Sequence, residues 1–385
     1  MSKTTIVLVL NCGSSSVKYK LYAVENDLFL AEGVLEKIGE KQPVHTHRIN
    51  DKEPFRRKVD APDHHAAVGL VLNILVDKEL GVIKSIDEIA GVGHRVVHGG
   101  EVFGEEVLID DNVLASITKF VKLAPLHNPP ALSGIKAIKR LLPTKPQVAV
   151  FDTAFHQTMP KEAYTYALPY RYYKKYGIRK YGFHGTSHKY VARKAAKVLQ
   201  RLLGELKLIT CHLGNGCSIT AVLNGKSIDT SMGFTPLEGL VMGTRCGDID
   251  PAIVTFLMEK EDLTAQEIDD VMNKKSGILG ISEISNDMRE LNAAAKEGNE
   301  NATLALEVFY YRLKKYIGAY IGIMNGIDAI VLTAGIGENN AWLKERLERD
   351  LSEILKKFDA KVLVVPTKEE WMIAMDTYEL IKGVK

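Results

Sequence analysis

The sequence predicts an α/β protein, because short apolar runs alternate along the chain with segments of helical periodicity. The apolar runs that predict buried strands cover residues 6–10, 147–151, 206–211, 329–333 and 361–365. A second observation is that each half of the chain contains a strand, a turn of small residues and a return strand. Together these features predict two similar halves, each built around a sheet.

Helices are predicted from apolar residues that recur at intervals of three and four. Such residues occupy 191–202, before Gly204, which we expect to end that helix. Another set occupies 132–142 and follows the Asn-Pro pair at 128–129, a plausible start for a helix. The segment 304–324 is long and apolar but contains charged residues, so it predicts a helix buried between layers rather than a membrane span.

The duplication is visible in the turns themselves. The strand 7–10 and the strand 206–211 each lead into a glycine turn and a second strand-like stretch. Superposing Gly13 on Gly216 gives an offset of 203 residues, about half the chain. A match at that distance predicts a duplicated domain.

Composition excludes several classes of protein. The 385 residues include 50 Lys and Arg against 48 Asp and Glu, so the net charge of +2 predicts no nucleic-acid partner. No apolar run approaches the roughly 20 residues that span a bilayer, so no membrane association is expected. The four cysteines lack disulfide or metal spacing, and the apolar N-terminal stretch is too short for a signal sequence. These features favour a cytoplasmic protein of two domains.

Glycine turns that follow strands can direct backbone N–H groups at phosphate oxygens. The chain has three such segments, at 11–16, 214–218 and 335–339. Neither the P-loop pattern nor the full dinucleotide-binding pattern occurs, which excludes those two nucleotide folds. The three turns together therefore favour nucleotide binding through hairpin turns.

Arginine and histidine also lie among glycines. Arg95 and Arg245 each stand in a glycine-flanked segment, where the planar guanidinium suits a carboxylate or a phosphate. Asp152 follows an apolar run and should stand at the carboxyl end of a strand, where open α/β sheets bind ligands. His184 lies in a loop just before a predicted helix. From the residues alone, a surface ion pair is an equally good interpretation of each arginine, and a hydrogen-bonded loop residue is the favoured interpretation of His184.

Eight motifs, taken in order, give a specific resemblance. From residue 11 to residue 376 the chain resembles the acetokinase family, the acetate kinases. The motifs are NCGSSSVK at 11–18, HRVVHGGE at 94–101, LAPLHNPP at 123–130, FDTAFH at 151–156, YGFHGTSH at 181–188, CHLGNGCSI at 211–219, MGFTPLEGLVMGTRCGDIDP at 232–251 and TAGIGEN at 333–339.

This resemblance implies the duplicated actin-like ATPase fold, with two domains around a nucleotide cleft. The N-terminal domain, 1–150, would carry the acetate and metal side, with 370–385 returning to it. The C-terminal domain, 151–369, would carry the nucleotide side. The implied reaction is reversible, Mg²⁺-dependent phosphoryl transfer from ATP to acetate, giving acetyl phosphate and ADP by direct in-line transfer, with Mn²⁺ as a possible substitute. The implied assembly is a cytoplasmic homodimer.

The resemblance also implies catalytic roles. Arg95 would orient the acetate carboxylate, and Arg245 with His184 would stabilise the transferring phosphoryl group. Asp152 matches a carboxylate described as an acid or base in such enzymes. Acetate is already ionised at neutral pH, because a carboxyl pKa is roughly 4, so no proton needs removing. We therefore expect Asp152 to orient an arginine or a metal-bound water.

The remaining implied residues bind metal, nucleotide and acetate. Asn11 and Glu369 would hold Mg²⁺, and Lys368 stands beside them where the family usually has asparagine. The implied nucleotide residues are Lys18, His212, Leu213, Gly214, Asn215, Gly216, Asp287, Met288, Arg289, Gly335, Ile336, Gly337, Glu338 and Asn339. The implied acetate pocket is Arg95, Val97, Leu126, His127, Phe183 and Pro236.

Two alternatives stay open. A propionate or butyrate kinase would share the scaffold and differ in the size of the apolar pocket beside Arg95. A nucleotide-gated binding protein, like the actin and chaperone relatives, would turn over ATP without phosphorylating an acid. The presence of both Arg95 and Arg245 argues against this second class, since hydrolysis by water needs no carboxylate clamp.

Overall fold

The computed structural model describes residues 4–50, 52–122, 124 and 127–383. The chain divides into two compact units, the first formed by 1–154 with 368–385 and the second by 155–367. Each unit contains a mixed β-sheet covered by helices. The predicted α/β class is confirmed, and the five predicted strands correspond to strands of the two sheets.

The strands and helices follow one another along the described residues with these bounds. The strands are β1 (Ile6–Gly13), β2 (Ser16–Ala23), β3 (Leu28–Glu36), β4 (Val44–Ile49), β5 (Phe55–Lys58), β6 (Ile89–Val96), β7 (Val107–Leu108), β8 (Gln147–Phe151), β9 (Lys207–Leu213), β10 (Cys217–Leu223), β11 (Lys226–Thr230), β12 (Ala329–Thr333) and β13 (Lys361–Val364). The α-helices are α1 (His64–Leu75), α2 (Asp111–Lys119), α3 (Asn128–Leu141), α4 (Lys161–Tyr164), α5 (Arg171–Tyr176), α6 (Gly185–Leu199), α7 (Ala252–Lys260), α8 (Ala265–Lys274), α9 (Gly277–Ser282), α10 (Met288–Lys296), α11 (Glu300–Met324), α12 (Ala334–Asn339), α13 (Ala341–Asp350), α14 (Ser352–Phe358) and α15 (Glu369–Ile381).

The sheet of the first unit has the strand order β5-β4-β3-β2-β1-β6-β8-β7. β1 to β5 form an antiparallel meander, whereas β1, β6 and β8 run parallel. Side chains alternate along β1, so Leu8 and Leu10 join the core under α1 and α3, while Val7 and Val9 pack under α15. The parallel pairing places the carboxyl ends of β6 and β8 side by side.

The sheet of the second unit has the order β11-β10-β9-β12-β13. β9 to β11 are antiparallel, and β9, β12 and β13 are parallel. This is the arrangement of β3-β2-β1-β6-β8 in the first unit, so the two sheets share order and direction over five strands. The α6 helix packs on β9 and β12, and α11 packs on β9 and β10.

The two glycine hairpins match with a different register from the one expected. Gly13 pairs with Ser16 around a turn of two residues, whereas Leu213 pairs with Cys217 around a turn of three. The last paired residues before the turns are therefore 200 residues apart, and superposing Gly13 on Gly216 is wrong. Because the second turn is one residue longer, glycines in similar sequence do not occupy equivalent positions.

The α6 helix ends earlier than its apolar pattern predicts. Gln200 terminates it in the left-handed conformation, with φ of 53°, and its N–H bonds the last carbonyls of the helix. Gly204 lies beyond, in a short 3₁₀ turn. Val198 and Leu202 are 60% and 71% exposed, so the predicted apolar stripe faces the core only in its first part.

Two other segments differ from expectation. Residues 335–339 belong to α12 and form a short helix rather than a glycine turn. The α11 helix is buried along one face, through residues such as Phe309 and Leu313, but exposes Leu304 and Tyr311 on another. The prediction that this segment is a buried helix is thus correct for only one face of α11. Within the described part of the chain, no helix is both long and apolar enough to cross a membrane.

Candidate active site

A buried ion pair joins the ends of β6 and β8 in the first unit. Arg95 lies next to last in β6, and Asp152 follows β8, with its N–H bonded to the carbonyl of Val96 at 3.0 Å. Arg95 Nε donates to Oδ1 and Oδ2 of Asp152 at 2.9 and 3.2 Å, and Nη2 donates to Oδ2 at 2.7 Å. The Asp152 side chain is only 3% exposed. This carboxylate raises the pKa of Arg95 above its ordinary value, so the guanidinium is held cationic.

The geometry of the pair leaves part of the guanidinium available. Asp152 takes the Nε and Nη2 edge, and no hydrogen bond of the described residues uses Nη1 of Arg95. A guanidinium has five donors in one plane, so a second anion fits the Nη1 and Nη2 edge. Asp152 therefore fixes Arg95 in place, as its expected orienting role requires.

Glu369 begins α15 and carries a perturbed carboxyl group. Burial raises its pKa to about 7, with Asp152 and Glu370 adding to the increase, while Arg95 and Lys18 oppose it. These influences place the Glu369 carboxylate within electrostatic range of the ion pair. A carboxylate that burial and two neighbouring carboxylates destabilise is a favourable partner for a cation.

Asn11 and Lys18 face each other as register partners in the hairpin of β1 and β2. Both line a cavity of about 340 Å³ together with Glu370. Among the described residues no group of three or more His, Cys, Asp or Glu side chains could hold a metal ion alone. One carboxylate and one amide oxygen suit Mg²⁺, which takes most of its ligands from water and phosphate. The donor set thus fits the expected metal.

The segment after Arg95 is anchored by two side chains. Asn128 is buried, and its Oδ1 accepts from the N–H of His98 at 3.2 Å while its Nδ2 donates to the carbonyl of His98 at 3.0 Å. Thr153 Oγ1 accepts from the N–H of Gly99 at 3.1 Å. His127 is exposed at the N-cap of α3. These bonds hold the backbone that follows Arg95 in one conformation.

In the second unit, His184 stands immediately before α6 in the left-handed conformation, with φ of 56°. Its Nδ1 lies 2.9 Å from Ser218 Oγ, and its ring stacks on His212 with centroids 4.0 Å apart. His212 Nδ1 lies 2.8 Å from Ser187 Oγ. A non-glycine residue in this conformation is uncommon, and here stacking and hydrogen bonding hold the ring in place.

Arg245 lies in a loop fastened by backbone hydrogen bonds. Gly243 N–H donates to the Asn215 carbonyl at 2.9 Å, and Ser276 N–H donates to the carbonyl of Thr244 at 3.0 Å. Arg245 Nη1 donates to the Pro236 carbonyl at 3.3 Å, and burial lowers the pKa of the guanidinium. No ion pair among the described residues includes Arg245. A half-buried cation without a carboxylate is suited to receive an anion.

Gly216 brings the hairpin turn close to the side chains of both Arg245 and His184. A Cβ at this position would lie 3.3 Å from Nη1 of Arg245 and 3.5 and 3.7 Å from Cε1 and Nε2 of His184. A side chain at position 216 would therefore be in van der Waals contact with both Arg245 and His184. Turn, guanidinium and imidazole form one surface suited to an anionic group.

The expected nucleotide residues are spread over several elements. Asp287 is the N-cap of α10, and its carboxylate accepts from the N–H and side chain of Arg289, which lowers the pKa of Asp287 to about 2. Met288 is buried. Asn215 Oδ1 accepts from Asn286 Nδ2 at 2.9 Å, which connects the glycine turn to this segment. Among the described contacts, Asp287 and Arg289 thus satisfy each other's charge.

The side chain of Glu338, in α12, accepts hydrogen bonds from the protein backbone. Its Oε1 accepts from the N–H groups of Ala334 and Thr367 at 2.8 and 3.1 Å. Asn339 donates to the carbonyl of Gly335 at 2.8 Å, and Ile336 and Gly337 are buried. Of these residues Gly335 and Asn339 are exposed to solvent.

The residues of the expected methyl pocket belong to different units. Val97 is half-buried in the first unit, and Leu126 lies outside the described residues. In the second unit, Phe183 is buried and its carbonyl accepts from His156 at 2.9 Å. Pro236 is half-buried and contacts Arg245 through its carbonyl. The pocket stays a prediction.

Comparison with known proteins identifies the family. Residues 6–359 match the model of the acetokinase family. The chain belongs to this family. The acetate kinase of Thermoanaerobacter pseudethanolicus is 55% identical over 98% of this chain and 100% of its own length. The acetate kinase crystal structure from Porphyromonas gingivalis is 47% identical, with a TM-score of 0.95 over 98% of this chain and 100% of that one. A propionate kinase structure from Francisella tularensis is 42% identical, with a TM-score of 0.89 over 97% and 99%.

Membership of the acetokinase family confirms the resemblance that the eight motifs predict. Several buried polar residues beside the site carry no sequence signal that identified them as site residues. Ser218 and Ser187 bond the histidines, and Asn128 holds the segment after Arg95. Only their place in the sequence could have indicated these residues, because each lies within or beside a motif that contains a predicted site residue.

Proposed function

We propose that this chain catalyses reversible transfer of the γ-phosphoryl group from ATP to acetate, giving acetyl phosphate and ADP. The observation that carries the proposal is the convergence of Arg245, which forms no ion pair among the described residues, with His184 on the hairpin turn at Gly216. Membership of the acetokinase family supports the same reaction. The first unit, 1–154 with 368–385, would carry acetate and metal, and the second unit, 155–367, would carry most of the nucleotide residues.

Acetate binding is assigned to Arg95. Its Nη1 and Nη2 edge would donate to the acetate carboxylate, while Asp152 holds the adjacent Nε and Nη2 edge through three hydrogen bonds. Acetate is ionised at neutral pH, so its oxygen attacks phosphorus without a general base. The role of Asp152 is therefore to orient the guanidinium.

Phosphoryl stabilisation is assigned to Arg245 and His184. In the loose transition state of phosphoryl transfer, negative charge lies on the equatorial oxygens, so fixed donors placed beside them lower the barrier. The acetate oxygen forms its bond to phosphorus as the bond to the β-phosphate oxygen breaks. A direct, in-line transfer of this kind needs no nucleophile from the protein.

Asn11 and Glu369 would hold Mg²⁺, with Asn11 acting through a water molecule. When bound, the ion supplies positive charge to the phosphate oxygens. Mn²⁺ also accepts oxygen ligands and is expected to substitute. The raised pKa of Glu369, about 7, supports a site at which a cation is expected.

Nucleotide binding is assigned to Lys18, to the backbone of the turn 212–216 and to the segments 287–289 and 335–339. The exposed positions of Lys18, Gly335 and Asn339 support this assignment. Glu338 would act indirectly, since its carboxylate stabilises α12. Membership of the family further favours a cytoplasmic homodimer. Light scattering of the purified protein measures its molar mass and so tests whether it is a dimer.

The experiment that tests the reaction is hydroxylamine trapping. Purified protein with ATP, Mg²⁺ and acetate should form acetyl hydroxamate, and ADP should appear in equal amount. Propionate and butyrate in place of acetate test the alternative acids, because the Francisella tularensis relative is named a propionate kinase. ADP release without hydroxamate would contradict the proposal and favour the nucleotide-gated class.

A further inference from the structure

A row of buried side chains extends behind His184 in the second unit. Ser218 Oγ lies 2.9 Å from His184 Nδ1 and 2.7 Å from His188 Nε2. His188 Nδ1 lies 2.7 Å from Thr210 Oγ1. Ser218, His188 and Thr210 are all completely buried and come from β10, α6 and β9. The four groups form a single chain of hydrogen bonds.

The hydroxyl group of Thr210, at the buried end of this series of hydrogen bonds, determines which group donates in each bond. Among the hydrogen bonds of the described residues, the Thr210 hydroxyl has one partner, His188 Nδ1. Leaving a buried hydroxyl proton without an acceptor costs about 1–3 kcal/mol. Thr210 therefore donates to His188 Nδ1, and that nitrogen carries no proton.

The protonation state of His188 then determines which group donates in the next hydrogen bond. Burial, together with His156 and His212, lowers the pKa of His188 well below 6.5, so its ring is neutral. A neutral imidazole without a proton on Nδ1 carries it on Nε2. His188 Nε2 therefore donates to Ser218, whose own proton goes to its other contact, His184 Nδ1.

We propose that Ser218, supported by His188 and Thr210, is a positioning residue that fixes His184 as the tautomer with its proton on Nε2. Because Nδ1 is engaged by Ser218, the ring can present only Nε2 to a substrate. The chain of hydrogen bonds thus makes the presented nitrogen a donor. The inference rests on the proposed function, in which His184 donates to the phosphoryl group.

The neighbours of His184 favour the same state. His212 stacks on the ring, and Arg245 lies beside it at Gly216, so a second positive charge there is unfavourable. A proton added to Nδ1 would also point at an oxygen that already accepts from His188. The ring can therefore donate without first becoming charged.

The tautomer is measured directly by ¹⁵N NMR of histidine-labelled protein at about pH 9, where a histidine of ordinary pKa is neutral. The spectrum of His184→Gln assigns the signals. We expect the single proton of the neutral His184 ring on Nε2 in the wild type, and a mixture of the Nδ1-H and Nε2-H tautomers in Ser218→Ala. A wild-type proton on Nδ1 would overturn the inference, whether or not the protein phosphorylates acetate.

Kinetics provides the second test, with Thr220→Val as the matched control. Thr220 lies two residues from Ser218 on β10, is equally buried, and bonds Thr230 rather than a histidine. Ser218→Ala should lower kcat roughly tenfold, the scale for losing the partner of a functional histidine, with KM for ATP and acetate nearly unchanged. Thr220→Val should keep wild-type kcat. Equal kcat in Ser218→Ala and the wild type, or equal losses in both variants, would contradict a positioning role. Absence of acetate phosphorylation in the wild type would refute the proposed function alone.

Discussion

Gly216 and Arg245 are so close that any side chain at position 216 must touch the guanidinium. A Cβ there would lie 3.3 Å from Nη1 of Arg245 and 3.5 Å from Cε1 of His184. The backbone of Gly216 does not have a positive φ, so alanine fits its conformation. The consequences of a substitution therefore fall on the two side chains that the site uses.

Gly216→Ala is expected to lower kcat by roughly 10- to 100-fold, because a small displacement of catalytic groups is enough for such a loss. Thermal stability should change little, since the one tight contact, at 3.3 Å, is to Nη1 at the end of the flexible Arg245 side chain. Steady-state kinetics with a melting curve measures both. Gly204→Ala is the control, because a Cβ at Gly204 meets no atom of the described residues within 4 Å. Wild-type kcat in Gly216→Ala would contradict the convergence of the three groups.

Replacing the two arginines should change different kinetic constants. Arg245→Ala is expected to lower kcat by about 10² to 10³, the loss typical of one donor to transition-state charge. Arg95→Ala should also raise KM for acetate, because it removes the carboxylate partner. Steady-state kinetics with both substrates varied makes the distinction. Unchanged kcat in Arg245→Ala would remove this residue from the site.

How much of this site could be predicted from the sequence depends on the kind of signal. Asp152 follows an apolar run and is predicted at a strand end, whereas Arg95 is singled out only by its glycine-flanked segment. The parallel pairing of β6 with β8, which brings the two side chains together, was not predicted. The hydrogen bonds of Ser218 were not predictable. Its partners come from different elements, and a serine in an apolar strand has no pattern of its own.

The errors have physical causes as well. Val198 and Leu202 continue the helical spacing of apolar residues, but both side chains are exposed to solvent. The spacing of apolar residues does not show where along the chain the hydrophobic core ends. Residues 335–339 contain two glycines, which favour a turn, yet Glu338 caps the N–H of Ala334 and stabilises a short helix. In the first case the absence of tertiary contacts decided the structure, and in the second a hydrogen bond between residues four apart did.

Glu369→Ala should raise the Mg²⁺ concentration needed for half-maximal activity, because one oxygen ligand is lost while water and phosphate ligands stay. Glu370→Gln is the control. Glu370 lies next in the chain and forms an ion pair with Lys20 at 3.5 Å, so its loss should shift the Mg²⁺ curve much less. Activity is titrated with Mg²⁺ at saturating ATP and acetate. Identical curves for Glu369→Ala and the wild type would contradict the metal assignment.

Val97→Ala should narrow the preference for acetate over propionate. A second carbon could gain about 0.8 kcal/mol by burial, but overpacking a pocket shaped for one methyl costs about 1–3 kcal/mol. Removing two methyl groups from Val97 relieves that crowding, so the ratio of kcat/KM should fall by roughly tenfold. The measurement is kcat/KM for both acids in each protein. An unchanged ratio would contradict the place of Val97 in the pocket.

Acid should destabilise the first unit through a buried cluster of Tyr19, His45 and His47. His47 Nε2 lies 3.0 Å from the carbonyl of Leu80, which can only accept, so His47 Nδ1 accepts from Tyr19, whose oxygen accepts from His45 Nε2. His45 Nδ1 is then a buried acceptor with no partner among the described residues, and burial lowers the pKa of His45 to about 4. Between pH 6.5 and 4 the unfolded chain binds this proton and the folded chain does not, so stability rises with pH and is lost on acidification.

The size of this effect is roughly 2 kcal/mol per buried histidine between pH 7 and pH 5. His45→Gln removes the ionisable group, so its urea midpoint should fall less than that of the wild type over the same interval. The buried His94 and His98, whose pKa values are also lowered to about 4, should leave the variant with part of the acid sensitivity. Urea titrations of both proteins at pH 7 and pH 5 make the comparison. A variant as sensitive to acid as the wild type would show that His45 is already protonated in the folded protein.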